Sequence, residues 1–467
     1  MQPLLGKFFF IHPILKKIAA LFRERDREIC LVGGAVRDML RGKKPHDWDL
    51  ATDAPPEEVA DIFRNAKPRG KVIPTGIKHG TVTVLYRDRN LEITTYRIET
   101  GYTDGRRPDT VLYSSNIEED LSRRDFTMNA VALRLPGGEK IDPFGGEADL
   151  KAGIIRCVGD PAERFSEDGL RPLRAVRFAA QLSCDLESKT LAAIPAALET
   201  SAKVSAERVR DEIDKIITSG KPSRAFLLME QTGLLQLFLP ELAVCRAVDQ
   251  KGFHCFDVLD HSLFACDYAS AKQYSKDVIL AALLHDTGKV QTRKLDDDGI
   301  WTFYRHEEAS EKIARAVLTR LRYPNALVDS VCRLVNGHMF HYQDEWSDAA
   351  VRRFVVRTGA ENLPKMYQLR RADSYATALK EPPPNFLLSL VYRAEKAVNE
   401  GKAFTLKDLA VSGNDLIAIG IKPGKIMGVI LNELLETVLD DPDQNTPEIL
   451  TDIAKKVRDE REKNTSG

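Results

Sequence analysis

The 467-residue chain has a formal net charge of −1, with 43% apolar and 29% charged residues. That length exceeds one hydrophobic core and predicts about two to four domains. The balanced charge excludes a chain that is basic throughout, so any polyanion must be held by local basic clusters. Cysteines 30, 157, 184, 245, 255, 266 and 332 form no C-x-x-C pair. This argues against a zinc knuckle or a disulfide framework and predicts a reducing, cytoplasmic setting. The opening stretch MQPLLGKFFFIHPILKK lacks a basic start and a small-residue cleavage site. No apolar run of about 18 residues occurs elsewhere, so no membrane partner is expected.

In chain order, residues 13–25 space Ile14, Ile18, Leu21 and Phe22 as a helix does. Glu28 to Val32 reads as a strand, and Gly33 and Gly34 precede the helix-forming AVRDML. Glycines at a strand-to-helix junction let amides turn toward an anion, and the helix adds its dipole. Asp47-Trp48-Asp49 reads as strand, with both carboxylates on one face and Trp48 on the other. Paired carboxylates of this kind suit Mg²⁺, although a turn with two solvated acids also fits. Residues 54–63 form a second helix, and 79–88 with 91–97 form a hairpin turning at 88–90. Glu92 is the natural third carboxylate, and Gly76 to Gly80 is a candidate wall of a nucleotide pocket. The polar stretch 99–117 is long for a connection and suits an active-site loop. Arg123 and Arg124 suit phosphate or ribose contacts, with Asp125 orienting one of them. Asn129 lies in an apolar run and requires a hydrogen-bond partner.

Farther on, Ser166 is the expected N-cap of a helix carrying Glu167, Asp168, Arg171, Arg174 and Arg177. An Asp acceptor beside an Arg fork can read a base edge, and surface ion pairing fits as well. Pro172 is expected to remove the bond to the Asp168 carbonyl and kink that helix. Residues 205–220 and 221–242 read as one helix each, with Arg208 and Glu212 placed to buttress the preceding one. His261, His285, Asp286, His306, His338 and Asp373 lie on helical segments and suit a mono- or dinuclear metal site, with His341 competing with His338. Pro382 to Pro384 marks a domain edge. Lys422 and Lys425 flank a Gly-Pro turn that could hold one nucleic-acid phosphate, while the last ten or so residues are expected to fray.

LVGGAVRDML with HDWDLAT resembles the first motif of the nucleotidyltransferase superfamily. LEITTYR, RRPDTV, EEDLSRRDFTMNA, DPFGGEADL and ERFSEDGLRPLRAVRFA narrow the likeness to bacterial-type (class II) CCA-adding tRNA nucleotidyltransferases over residues 28–242. Residues 255–380 resemble an HD-type metal phosphohydrolase domain. The resemblance implies Mg²⁺ on Asp47 and Asp49, with Glu92 as third carboxylate. It implies a triphosphate cradle at Gly33, Gly34, Arg37 and Asp38, and sugar and phosphate contacts at Arg123, Arg124 and Asp125. Asp168 and Arg171 would read the base, with Glu167 holding Arg171. The HD set would hold a second divalent transition metal. Gly169 and Pro172 depart from the usual template helix.

The expected fold is a multidomain α+β chain: a nucleotidyltransferase head with a small mixed or antiparallel sheet (1–152), a helical neck and body (153–250), an HD region (251–382) and a helical, tRNA-binding tail (383–467). The expected reaction adds C, C and A to the tRNA 3′ end from CTP and ATP. Poly(A) addition is a sister activity, and CC addition is another. The complete GYTDGRRPDTV stretch favours full CCA addition, because CC-adding relatives shorten it. A hydrolase with a nucleotide-binding head, or an RNA-binding protein with both sites silent, are the alternatives of another class.

Overall fold

The computed structural model describes residues 10–45, 47–73, 80–100, 110–250, 255–401 and 405–465. Residues 76–79 of the Gly76–Gly80 segment and 101–109 of the 99–117 loop lie outside the described residues. The chain forms two compact units, Met1–Pro240 and Glu241–Gly467.

The first unit opens with α1 (Pro13–Arg23), β1 (Ile29–Val32), α2 (Gly34–Leu40), β2 (Trp48–Thr52) and α3 (Pro56–Asn65). It continues with β3 (Lys71–Ile73), β4 (Thr81–Tyr86), β5 (Arg89–Thr95), β6 (Arg97–Thr100) and β7 (Thr110–Tyr113). Then follow α4 (Ile117–Ser122), β8 (Ala132–Arg134), β9 (Glu139–Ile141), α5 (Gly146–Ala152), α6 (Pro161–Glu167) and α7 (Arg171–Leu182). One seven-stranded sheet has the order β3-β4-β5-β2-β1-β8-β9, while β6 and β7 pair separately. The β2–β5 pair is parallel and its neighbours are antiparallel, so of the two expected forms the sheet is the mixed one.

Side-chain alternation gives the sheet two faces. Leu31, Leu50, Leu91 and Ile93 bury against Ile18, Phe22 and Phe63 on one. Cys30, Val32, Ala51 and Tyr96 meet Leu121 and Ala130 on the other. Asp49 shares the parity of Ala51 but stands exposed. It therefore carries the second face past the end of its core. The β4–β5 hairpin turns at Arg87 and Asp88, both at positive φ, rather than at 88–90. This two-residue geometry suits a tight hairpin.

Three helix expectations need correction. Ser166 lies in the last turn of α6, where its hydroxyl donates to the Glu163 carbonyl, and caps nothing. The chain breaks at Asp168 to Leu170 and α7 begins at Arg171. Pro172 thus occupies the first turn, where a missing N–H removes no helical bond, and α7 runs on to Leu182. Residues 221–242 break at Gly233 into Ser223–Thr232, Leu234–Phe238 and Pro240–Ala243.

In the second unit Val258–Ala271 packs on Lys276–Leu284 and Leu363–Ala378, and His306–Arg320 packs on Asn325–Gly337. A separate apolar cluster of Leu416, Ile430, Leu434, Val438 and Leu450 joins the last segments. Arg352 closes the helix Lys425–Asp440 by donating to the carbonyls of Leu439 (2.7 Å) and Asp440 (2.9 Å). The final helix extends from Pro447 to Thr465. Among the described residues no helix is long and apolar enough to cross a membrane.

Candidate active site

A cavity of about 450 Å³ in the first unit is lined by Gly33, Gly34, Arg37, Asp49, Arg123, Arg124, Asp125, Asn129, Asp168, Arg171, Arg174 and Phe178. Eleven of these twelve residues are among those predicted from the sequence, and Phe178 is not. Gly33 has φ +66°, and a Cβ there would lie 3.0 Å from Arg124 Nη1 and 3.4 Å from Asp49 Oδ2. Both the left-handed backbone and the closeness of these groups require glycine.

Asp49 pairs in parallel register with Glu92 across β2 and β5, so both carboxylates rise from one face. Asp47 lies one residue ahead of β2 and is exposed. Trp48 points to the opposite face, between His12 (ring centroids 5.0 Å apart) and the Arg89 guanidinium (5.4 Å). Asp47 and Glu92 stand beside the cavity rather than in its lining. Desolvation pushes the Asp49 carboxyl above its ordinary range; Arg124 and Arg37 oppose this and Asp47 adds to it. Carboxylate oxygens are the donors a hard divalent cation takes, although these three do not close on one another as the ligand groups of the second unit do.

The arginines are held by acids. Buried Asp120 accepts from Arg123 Nε (3.0 Å) and Nη2 (2.6 Å) and from Arg124 Nη2 (3.2 Å). Asp125 does not orient either of them. It accepts from Arg174 Nε (2.8 Å) and Nη2 (2.6 Å) and from Asn129 Nδ2 (3.0 Å). Burial alone would raise the Asp125 carboxyl, but Arg174 and Asn129 bring it down to about 2. The Asn129 side-chain carbonyl accepts from Arg37 Nη1 (3.1 Å), which satisfies both ends of its amide. Asp38 pairs with Arg37 outside the lining (3.0 Å).

Glu167 accepts from Arg171 and from Arg164 (3.0 Å). Arg171 also donates to the carbonyls of Arg164 (2.8 Å) and Arg123 (3.1 Å). Asp168 Oδ1 accepts from the Leu170 amide (3.0 Å) and Oδ2 from Arg208 (2.7 Å). Arg208 thus reaches Asp168 itself. Gly169 packs so tightly that a Cβ would lie 2.3 Å from the Thr200 carbonyl oxygen. Arg177 is not brought to the cavity; it is buried and pairs with Glu212 and with Gln181 (2.7 Å). It stands one turn after Arg174 on the same side of α7, outside the cavity lining.

Asp120 and Phe178 are the residues that sequence reasoning missed. Asp120 stands three and four residues before the two arginines, a pairing distance on a helix. Phe178 stands one turn after Arg174.

In the second unit all six predicted metal-ligating residues converge. His261 Nε2 lies 3.3 Å from His285 Nε2, 3.1 Å from Asp373 Oδ1 and 3.5 Å from Asp286 Oδ2. The other Asp286 oxygen lies 3.2 Å from His306 Nε2 and 3.7 Å from His338 Nε2. Nδ1 of His285, His306 and His338 faces the carbonyls of Ala282, Phe303 and Val335 at 2.9, 2.9 and 2.6 Å. Those contacts place the ring proton on Nδ1 and leave Nε2 as the ligand atom. Two groups able to hold an ion share Asp286: His261 and His285 on one side, His306 and His338 on the other. His341 is exposed in the adjoining cavity and outside both groups. Lys422 and Lys425 are exposed at the turn before the helix Lys425–Asp440.

The mixed sheet, the exposed carboxylates on its central strands and the arginine-lined cavity define a nucleotidyltransferase. The family model for the "Poly A polymerase head domain" matches residues 29–156, and that for "tRNA nucleotidyltransferase domain 2" matches residues 296–454. The CCA-adding enzyme of Lactobacillus helveticus is 35% identical over 428 residues, covering 91% of this chain and 92% of that protein. The CCA-adding enzyme of Enterococcus faecalis is 33% identical over 455 residues, 97% of this chain and 96% of that protein. The crystal structure of the Bacillus stearothermophilus CCA-adding enzyme in complex with CTP superposes with a TM-score of 0.70 at 28% identity, covering 97% of this chain and 98% of that one. The chain belongs to the CCA-adding enzyme family.

Proposed function

We propose that this chain adds C, C and A in turn to the 3′ end of tRNA, taking CTP and ATP and releasing pyrophosphate. The observation that carries the reading is the single cavity in which Asp49, four arginines at its phosphate end and the Asp168–Arg171 pair meet. Support also comes from the relatives named as CCA-adding enzymes and from the solved relative that holds CTP. Arg37, Arg123, Arg124 and Arg174 neutralise the triphosphate, and Gly33 and Gly34 keep the backbone close to it. Asp168 accepts from an exocyclic amine while Arg171 donates to the ring acceptor beside it. Cytosine and adenine share that donor–acceptor order, whereas guanine and uracil reverse it. Base choice then needs no nucleic-acid template. Magnesium held by Asp47 and Asp49, with Glu92 alongside, would supply activation of the terminal hydroxyl and stabilisation of the departing pyrophosphate. We assign the head to residues 1–152, the neck and body to 153–250, an HD region to 251–382 and a tail to 383–467.

The test offers Mg²⁺, labelled CTP and ATP, and tRNA transcripts ending before CCA, after C and after CC. Ordered completion to CCA is expected. Addition of only C, only A or a long A tail overturns the reading, as does activity retained by Asp47→Ala.

The converging imidazoles favour a second reading for the other unit: a phosphohydrolase centre holding a pair of divalent transition-metal ions across Asp286. Its Nε2 and carboxylate donor set suits such ions. Protein loaded with Ni²⁺, Mn²⁺ or Co²⁺ is expected to retain metal on desalting and to open a cyclic phosphodiester. His306→Ala is expected to lower the metal content, and an unchanged content refutes the assignment.

A further inference from the structure

Phe178 is 4% exposed, too covered to stack on a base, yet it lies where three motif segments meet. Its ring lies 5.3 Å from the Arg37 guanidinium of α2, 5.5 Å from that of Arg174 and 3.7 Å from that of Arg177, both on α7. Its edge packs against Phe126, next to Asp125, with centroids 5.7 Å apart and planes at 82°. Arg37 and Arg174 line the nucleotide cavity and are also linked through Asn129 and Asp125. The polar chain Arg37–Asn129–Asp125–Arg174 runs along one side, and the aromatic ring closes the circuit on the other. Arg177 is anchored by buried Glu212, which fixes the ring from behind. A guanidinium over a desolvated ring is held by the ring's quadrupole, and Arg prefers such faces.

From this geometry we infer that Phe178 is a positioning residue for nucleotide binding: it sets Arg37 of the cradle against Arg174 of the base-reading helix. It touches no reacting atom and acts through the two arginines. The inference rests on the proposed reading of the cavity as the CTP and ATP site.

The experiment measures equilibrium binding of CTP and of ATP, together with KM and kcat for CCA addition, in wild type, Phe178→Leu, Arg37→Lys and the double variant. Phe178→Leu is expected to raise Kd and KM for both nucleotides on the order of tenfold, with kcat changed by less than about threefold. In the Arg37→Lys background the same change is expected to shift Kd by less than about threefold, because the partner it positions is altered. If Phe178→Leu fails to fold, Phe178→Met, unbranched and able to fill an irregular gap, takes its place in the same cycle. Wild-type Kd and KM in a folded Phe178 variant overturn the inference alone, as do fully additive effects in the double variant. A wild-type protein that binds neither nucleotide overturns the reading of the cavity and this inference with it.

Discussion

Replacing Asp125 by Asn removes one negative charge from the buried link between the Arg174 and Asn129 side chains. Asp125 is 9% exposed, and its carboxyl is brought from 3.8 to about 2 by Arg174 and Asn129 against the pull of burial. At about 1.4 kcal/mol per pKa unit, that gap corresponds to about 2 kcal/mol of folded-state stability at neutral pH. Arg174 keeps a second acid, Glu212 at 4.0 Å, and its side chain is 31% exposed, so the deficit stays short of the roughly 3–5 kcal/mol of a broken, fully buried pair. The sign follows from the direction of the shift. A carboxyl depressed on folding contributes fully above its unfolded value near 4, and the contribution disappears as pH falls through about 2. Urea unfolding of the first unit can be followed through Trp48 after Trp301→Phe and Trp346→Phe, because no other tryptophan precedes residue 241. The Asp125→Asn deficit is expected to be constant from pH 7 to about 5 and to shrink between about 4 and 2. A deficit below about 0.5 kcal/mol at pH 7, or one unchanged at the acid end, refutes the reasoning.

Two further outcomes follow from the segment between α6 and α7. Arg208→Ala takes away the donor 2.7 Å from Asp168 Oδ2, so preference for CTP and ATP over UTP and GTP is expected to fall on the order of tenfold; incorporation competitions that give wild-type ratios refute it. Gly169→Ala drives a Cβ to within 2.3 Å of the Thr200 carbonyl oxygen and is expected to destabilise by about 1–3 kcal/mol; an unchanged melting temperature of the first unit refutes it.

The strands β1 to β5 of the head sheet were legible because alternation is a local signal, whereas the three-residue β8 and β9 were too short to show it. Leu31 and Leu50 on one face and Cys30 and Ala51 on the other repeat at two residues. The convergence of the six histidine and aspartate side chains was also anticipated, since their helices carry long apolar stretches that must pack together. What was not legible was the choice of partners. Asp125 adjoins Arg124 in sequence, yet it pairs with Arg174, 49 residues away, and Asp120 takes both neighbouring arginines. A guanidinium reaches any acid within several ångströms, so sequence adjacency decides little. Pro172 illustrates the boundary problem: helical periodicity extended α7 backward through it, whereas the chain ends one helix at Glu167 and starts another at Arg171.

The pairing pattern also bears on how a chain with a net charge of −1 can offer a triphosphate site. Five arginines line the cavity: Arg37, Arg123, Arg124, Arg171 and Arg174. Each already has an acid, Asp38, Asp120, Glu167 or Asp125, with Asp120 serving two. Unpaired arginines crowded around one cavity would repel one another and favour open rotamers. The acids remove that repulsion and leave the forks aimed before a nucleotide arrives. The energetic return is orientation more than raw attraction, because each arginine brings its own partial neutralisation. The same arrangement makes composition a poor guide to the site. A polyanion cavity assembled from ion pairs leaves almost no trace in net charge, and it becomes visible only in the spacing of Arg and Asp along the motifs.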